Sequence, residues 1–152
     1  MIQLSTILSP ELTICNDLKA TNKKQVIERI SHLVHETNNA IKYQEILETL
    51  QQRERLGSTA IGHGVAIPHG RVTNLQHPIC VLITLDKAIE YSSKDTAAVD
   101  LVFGLLVPEE EDTKHLEALA ALSQRLQDKT FRESLRQAKT NAELYEVAIS
   151  DN

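Results

Sequence analysis

The sequence has few cysteines and no long apolar run, and both scarcities restrict where the protein can work. Only two cysteines occur among 152 residues, Cys15 and Cys80, each in an apolar β-like stretch and without CxxC spacing. This usage fits a reduced compartment. The longest apolar runs, 79–85 and 101–107, are short, and the first residues lack a basic segment followed by an apolar one. We therefore expect a cytoplasmic protein with no signal peptide and no membrane insertion.

A surplus of positive charge is also missing. The chain carries 16 Lys and Arg residues against 21 Asp and Glu residues, and its basic residues are scattered along the sequence. Proteins that bind nucleic acid usually concentrate basic residues in a patch or stripe, so nucleic acid is not expected as a partner. Hydrophobic residues make up 41% of the chain and charged residues 24%, which predicts a single globular domain over residues 1–152.

Helical patterns stand on either side of a central group of β-like segments. Asn22 with Gln25 three residues later resembles a capping box, and a helix is predicted from about 22 to 37. A second helix is predicted to carry Arg53 in its last turn and to end at Gly57. The β-like segments are 60–61, 65–67, 79–85 and 99–107, and later helices are predicted to begin near Asp112 or Thr113, Asp128 and Thr140. This order predicts an α/β sandwich.

Glycine is scarce, but four of the five glycines fall between residues 57 and 70. Glycine lets a ligand approach backbone N–H groups closely, and two neighbouring hydroxyl residues add further donors, so the segment suits an anion. The candidate phosphate-binding loop consists of Gly57, Ser58, Thr59, Gly62 and His63. Its spacing is neither GxxxxGK[ST] nor GxGxxG, so a nucleotide cradle is not supported. A tight β-hairpin whose glycines serve only its turns remains the alternative.

His69 is the candidate reactive residue. It lies between Pro68 and Gly70 at the end of a β-like segment, a rigid position that presents the imidazole. A neutral imidazole nitrogen is nucleophilic near pH 7, and a phosphoryl group bound to it keeps a high transfer potential. Phosphoryl transfer needs positive charge around the moving group, which Arg53 can supply as a planar fork. Neither a metal nor a cofactor is required.

Two other histidines are candidates for the same site. His115 is predicted in the first turn of a helix, where free N–H groups favour anions, so it can contact a phosphate on His69. A solvated surface position is the alternative for His115, and His63 either lines the site or only occupies a turn. A metal site of His63, His69 and His115 is a different possibility, although Arg53 would be unfavourable beside a metal cation. A further possibility is that the chain is a protein-binding module with an inactive site.

A long segment resembles the active-site signature of IIA domains of the fructose/mannitol type in the bacterial phosphoenolpyruvate:sugar phosphotransferase system. It runs from Arg53 to Gly70 as Arg-Glu-Arg-Leu-Gly-Ser-Thr-Ala-Ile-Gly-His-Gly-Val-Ala-Ile-Pro-His-Gly. The resemblance extends through residues 100–108 and 113–116 to the C-terminal helices. Among the branches of the family, the nitrogen-regulatory IIA proteins are the most similar. One departure is His63, where those relatives commonly carry Asn. Histidine at this position adds a titratable group to the loop.

The resemblance implies a mixed, mostly parallel sheet of about five strands flanked by helices. It also implies that His69 is phosphorylated at Nε2, that Arg53 contacts the phosphate, and that His115 is the second active-site histidine. The implied donor is a phosphorylated HPr-like protein, and the implied targets are regulatory proteins such as potassium transporters or sensor kinases. We therefore expect a phosphotransferase component that serves mainly as a regulatory phosphocarrier. The alternative is the IIA component of a sugar permease that passes phosphate to a IIB cysteine.

Overall fold

From residue 22 onward, the two helices, the central strands and the three later helices occur in the order expected from the sequence, and a short helix and a strand precede them. A computed structural model describes residues 3–92, 98–110 and 112–150, without the side chains of residues 112–115. The helices are α1 (Leu4–Ile7), α2 (Lys23–Thr37), α3 (Tyr43–Leu56), α4 (Asp112–Arg125), α5 (Lys129–Gln137) and α6 (Asn141–Ile149). The strands are β1 (Thr13–Asp17), β2 (Ala60–Gly62), β3 (Val65–Ala66), β4 (His69–Val72), β5 (Ile79–Ile89) and β6 (Val99–Pro108). None of the described helices combines the length and hydropathy that a membrane span needs.

The described strands form one six-stranded sheet in the order β1-β5-β6-β3-β2, with β4 also paired to β6. Strands β1 and β5 run parallel, as β3 and β4 do to β6. The pairs β2–β3 and β5–β6 are antiparallel. The predicted α/β sandwich with a mixed, mostly parallel sheet is therefore confirmed, with six strands where about five were expected.

Apolar side chains on the two faces of the sheet form two separate cores. Along β6, Val102 and Leu106 join the core beneath α2 and α3, whereas Phe103 and Leu105 join the core beneath α4, α5 and α6. This alternation is the period-two geometry of a strand covered on both sides. Gly104 allows α2 to pack closely, because a Cβ atom there would lie 2.9 Å from a methyl carbon of Ile30.

Side chains cap three of the helices at the predicted positions. The Asn22 side chain accepts from the Gln25 N–H over 2.8 Å, and the Thr140 hydroxyl accepts from the Glu143 N–H over 3.0 Å. The Asp128 carboxylate accepts from the N–H of Thr130 at the start of α5. Each cap satisfies a backbone donor that the first turn of the helix leaves without a partner. These helix starts are confirmed.

Strand β4 differs from the sequence pattern. The pattern predicts His69 at the end of a β-like segment, but His69 is the first residue of β4. Strand β3 ends at Ala66, and the chain pairs with β6 again from His69 onward. Pro68 has no N–H to donate, so the ladder is interrupted before His69. His69 therefore lies where the chain re-enters the sheet.

Candidate functional site

Helix α3 packs directly on strand β4, and this packing sets the distance between Arg53 and His69. A Cβ atom at Gly70 would lie 3.0 Å from Thr49 Oγ1 and 3.1 Å from Thr49 Cγ2, so glycine permits the close approach. The Thr49 hydroxyl also donates to the Arg71 carbonyl oxygen over 3.0 Å. Arg53 follows Thr49 by four residues and shares its helix face. It therefore reaches the start of β4.

The Arg53 guanidinium contacts the imidazole of His69. Its Nε–H donates to His69 Nε2 over 3.3 Å, and its Nη1 donates to the Gly57 carbonyl oxygen over 2.9 Å. These two bonds use different edges of the planar fork and fix the orientation of the guanidinium. The fold thus brings together the predicted phosphoryl acceptor and the predicted phosphate-binding cation.

The hydrogen bonds of His69 select one tautomer. Nδ1 lies 2.8 Å from the carbonyl oxygen of Ile67, which can only accept, so Nδ1 carries a proton. Nε2 then keeps its lone pair and accepts from Arg53. Burial lowers the pKa of His69, the bond to Ile67 raises it, the charge of Arg53 lowers it, and Glu54 raises it. The net direction is downward, so the neutral imidazole with a nucleophilic Nε2 is favoured.

We expect the imidazole of His69 to titrate below the ordinary histidine pKa of 6.5, because burial disfavours the imidazolium. The capacity of Nε2 to accept a phosphoryl group should then persist as the pH falls to 6.5 and decline only below it. The contribution of His69 to folding stability should likewise be lost as the pH falls below 6.5, because the unfolded chain takes up the proton first. An NMR titration of the His69 ring nitrogens measures the midpoint directly. A midpoint above 6.5 would mean that Ile67 and Glu54 outweigh burial.

The residues after α3 form a fixed turn beside Arg53. Gly57 ends the helix with φ +154°, and a Cβ atom there would meet nothing within 4 Å. The Ser58 hydroxyl accepts from the Ala60 N–H over 3.1 Å. Thr59 is buried, and its hydroxyl bonds to Glu54 and Tyr91 in the interior. Thr59 therefore influences the site through the position of the turn.

His63 occupies the turn of the β2–β3 hairpin, between Gly62 and Gly64. All three residues have positive φ, 92°, 57° and 78°, and histidine is among the residues that tolerate this region better than most. The His63 carbonyl oxygen accepts from Arg136, which also forms an ion pair with Asp100 at 2.9 Å. The opposite end of the hairpin contacts the site, because the Thr59 carbonyl accepts from the Ile67 N–H. The predicted role of His63 in phosphate binding stays a prediction.

His115 belongs to the first turn of α4, as predicted. Its side chain lies outside the described part of the chain, so its predicted contact with a phosphate on His69 stays a prediction. The alternative metal site also depends on that side chain. Among the side chains that the structure describes, no group of three His, Cys, Asp or Glu residues is arranged to hold a metal ion.

Glu54 is the site residue that sequence reasoning missed. It follows Arg53 directly, is only 8% exposed, and lies in the interior beneath the turn of Gly57 to Thr59. A signal was present in the sequence: Ile46, Leu50 and Glu54 are spaced four residues apart and share the buried face of α3. A carboxylate on an apolar stripe indicates a buried, partnered charge.

Comparison with known proteins identifies the family of the chain. Residues 6–151 match the model of "Phosphoenolpyruvate-dependent sugar phosphotransferase system, EIIA 2". The chain belongs to this family. The matched residues include all elements from β1 to α6, and both Arg53 and His69 lie within them.

Nitrogen regulatory proteins are among the similar proteins, which confirms the resemblance seen in the sequence. The nitrogen regulatory protein of Pseudomonas aeruginosa is 40% identical over 149 residues, covering 98% of this chain and 96% of that protein. The crystal structure of nitrogen regulatory protein IIA-Ntr from Neisseria meningitidis is 32% identical, with a TM-score of 0.85 over 95% of this chain and 98% of that one. The 2-O-alpha-mannosyl-D-glycerate-specific EIIABC component of Escherichia coli is 30% identical over 95% of this chain and 22% of its own length.

Proposed function

We propose that this chain is a cytoplasmic phosphocarrier whose His69 Nε2 accepts a phosphoryl group from a phosphorylated HPr-like protein. Its main role is that of a regulatory IIA protein of the nitrogen type. The observation that carries the proposal is the 3.3 Å contact between Arg53 Nε and His69 Nε2, with Nδ1 bonded to the Ile67 carbonyl. This arrangement leaves a lone pair on Nε2 and places a cation beside it.

The proposed transfer needs only groups that the two proteins supply. The Nε2 lone pair forms a bond to phosphorus as the nitrogen–phosphorus bond of the donor phosphohistidine breaks, and the electrons of that bond return to the donor ring. The Nδ1 proton stays in its hydrogen bond to Ile67, whose carbonyl stabilises the positive charge that develops on the ring. Arg53 shifts its N–H groups to the phosphoryl oxygens, where charge is concentrated during transfer.

Exposed apolar side chains support a protein as the donor. Leu56, in the last turn of α3, is 85% exposed, and Leu116, early in α4, is 65% exposed. Ile61 of β2 is also exposed. Large apolar side chains exposed to water are typical of protein-binding surfaces, and Leu56 lies in the same last turn of α3 as Arg53. The glycine segment also lacks the spacing of a nucleotide cradle, so a bound nucleotide is not the expected donor.

The phosphate on His69 is proposed to be held by Arg53, by His115 and by the turn that begins at Gly57. The N–H groups at the start of α4 favour an anion through the helix dipole, which supports a place for His115 there. The remaining predicted loop residues are Ser58, Thr59, Gly62 and His63. Of these, Ser58 adjoins Gly57, whose carbonyl holds the Arg53 fork.

The regulatory role rests on the similarity to nitrogen regulatory proteins, and potassium transporters or sensor kinases are the proposed targets. The alternative is a IIA component of a sugar permease, which the EIIABC similarity favours. A IIA of that kind passes its phosphate to a cysteine of a IIB protein.

Phosphoryl transfer to a IIB protein separates these roles. The protein is labelled by phosphoenolpyruvate, the first phosphotransferase and an HPr-like carrier, and then mixed with a fructose/mannitol-type IIB. We expect the label on His69 to remain there, whereas a mannitol-type IIA run in parallel passes its label on. Efficient labelling of the IIB cysteine would contradict the regulatory role. Absence of label on His69 with every carrier tested would contradict the phosphocarrier function itself.

A further inference from the structure

A carboxylate is buried directly behind the Arg53–His69 pair. Glu54 follows Arg53 on the last turn of α3, and successive helical residues point about 100° apart, so one side chain faces His69 and the other the interior. A buried carboxylate is costly unless donors satisfy it. Its partners therefore show which parts of the fold it holds together.

Four donors satisfy the two oxygens of Glu54. Oε1 accepts from the hydroxyl groups of Thr59 and Tyr91, the latter over 2.8 Å. Oε2 accepts from the Thr59 backbone N–H and from Lys23 Nζ, both over 3.3 Å. Burial and the nearby carboxylate raise the pKa of Tyr91, which keeps its hydroxyl protonated and donating. Glu54 thus joins the first turn of α2, the turn after α3 and the segment that follows β5.

Thr59 is the partner that connects Glu54 to the reactive ring. Its N–H and its hydroxyl both donate to Glu54, and these two hydrogen bonds fix the turn from Gly57 to Thr59. At one end of this turn, the Gly57 carbonyl accepts from Arg53 Nη1. At the other end, the Thr59 carbonyl accepts from the N–H of Ile67.

Both nitrogens of the His69 ring therefore depend on the same three-residue turn. Nε2 meets Arg53, whose fork is held by Gly57, and Nδ1 donates to Ile67, which is held by Thr59. Among the causes that shift the pKa of His69, the charge of Glu54 is the smallest. The effect of Glu54 on the ring is thus one of geometry more than of charge.

We propose that Glu54 is a positioning residue for phosphoryl transfer, which acts through Thr59 to fix the turn that orients Arg53 and His69. The proposal rests on the proposed function, in which His69 accepts the phosphoryl group. Glu54 itself is buried and does not touch the donor protein. Its loss should therefore slow the transfer step and leave donor binding unchanged.

Two substitutions that each remove one hydroxyl donor to the same oxygen of Glu54 give a matched test. Thr59→Val and Tyr91→Phe each remove one hydroxyl donor to Oε1, but only Thr59 belongs to the turn. We expect Thr59→Val to lower the single-turnover rate at saturating donor about 10-fold or more, since small displacements of reacting groups have large effects on rate. Tyr91→Phe should lower thermal stability yet keep a rate near that of the unsubstituted protein. Thr59→Ser should restore most of the lost rate.

Direct substitutions of Glu54 complete the series. Glu54→Gln keeps an oxygen that can accept from the Thr59 N–H, so it should retain more of the rate than Glu54→Ala. Glu48→Gln is the control on the exposed face of the same helix, where Glu48 accepts only from Gln44 among the bonds that the structure describes. The concentration of phosphorylated carrier protein that gives a half-maximal rate should be the same in all variants.

NMR of the His69 ring nitrogens and of the Arg53 Nε–H gives a reading that does not require phosphorylation. Thr59→Val should shift these signals, and Tyr91→Phe should leave them in place. The proposal is overturned if both variants give unchanged signals, or if rates in the series follow only the melting temperature. If the unsubstituted protein is not phosphorylated on His69, the proposed function fails, and the NMR comparison still decides whether Glu54 positions the ring.

Discussion

A His69→Ala variant should accept no phosphoryl group from a phosphorylated HPr-like carrier. The substitution removes the Nε2 lone pair, which stays unprotonated because Nδ1 carries the proton bonded to Ile67, and which accepts from Arg53 before transfer. Arg53, which contacts Nε2, is a cation at every accessible pH and cannot accept the phosphoryl group in its place. The measurement is the mass increase of one phosphate after incubation with phosphoenolpyruvate, the first phosphotransferase and the carrier.

The fold of the His69→Ala variant should survive. His69 is half-buried at the start of β4, and the substitution removes the ring's hydrogen bonds to Ile67 and from Arg53, each worth about 1 kcal/mol. His32→Ala is a suitable control, because His32 is an exposed residue of α2 that pairs with Glu36. The control should be phosphorylated normally. Acid-labile phosphate on folded His69→Ala protein would assign the acceptor to another residue.

An Arg53→Ala variant should take up the phosphoryl group about 10²-fold more slowly or worse, by analogy with loss of one preorganised donor at other charged transition states. Arg53 is oriented before the donor arrives, since its Nη1 is already bonded to Gly57. Its Nε–H therefore needs to shift only from His69 Nε2 to the oxygens of the phosphoryl group that bonds there. The single-turnover rate at saturating donor measures the effect.

Two variants show whether the fork or only the charge of Arg53 matters. Arg53→Lys keeps a positive charge but loses the planar pair of donors, so its rate should lie between those of the wild type and Arg53→Ala. Arg55→Ala is the control, since Arg55 is an exposed residue in the same last turn of α3. Arg53→Ala should also raise the pKa of His69, because the Arg53 charge lowers it. A normal rate in folded Arg53→Ala would remove Arg53 from the mechanism.

Signals that act over a few residues were readable from the sequence. The cap of α2 at Asn22 and the caps of α5 and α6 depend on side chains two or three residues from the N–H groups that they satisfy. The end of α3 at Gly57 is equally local. The continuous segment from Arg53 to Gly70 carried the family resemblance for the same reason. Residue types at fixed short spacing specify these features without any knowledge of packing.

The sequence alone thus determined the acceptor candidate His69, the cation Arg53, the sandwich class and the family. The tertiary structure decided three things that spacing does not contain. Thr49 at Gly70 sets how closely α3 approaches β4, the Ile67 carbonyl selects the tautomer, and Glu54 turns inward to Thr59, Tyr91 and Lys23. The physical reason is that these contacts join separate elements, so they depend on how the helices and the sheet pack against each other.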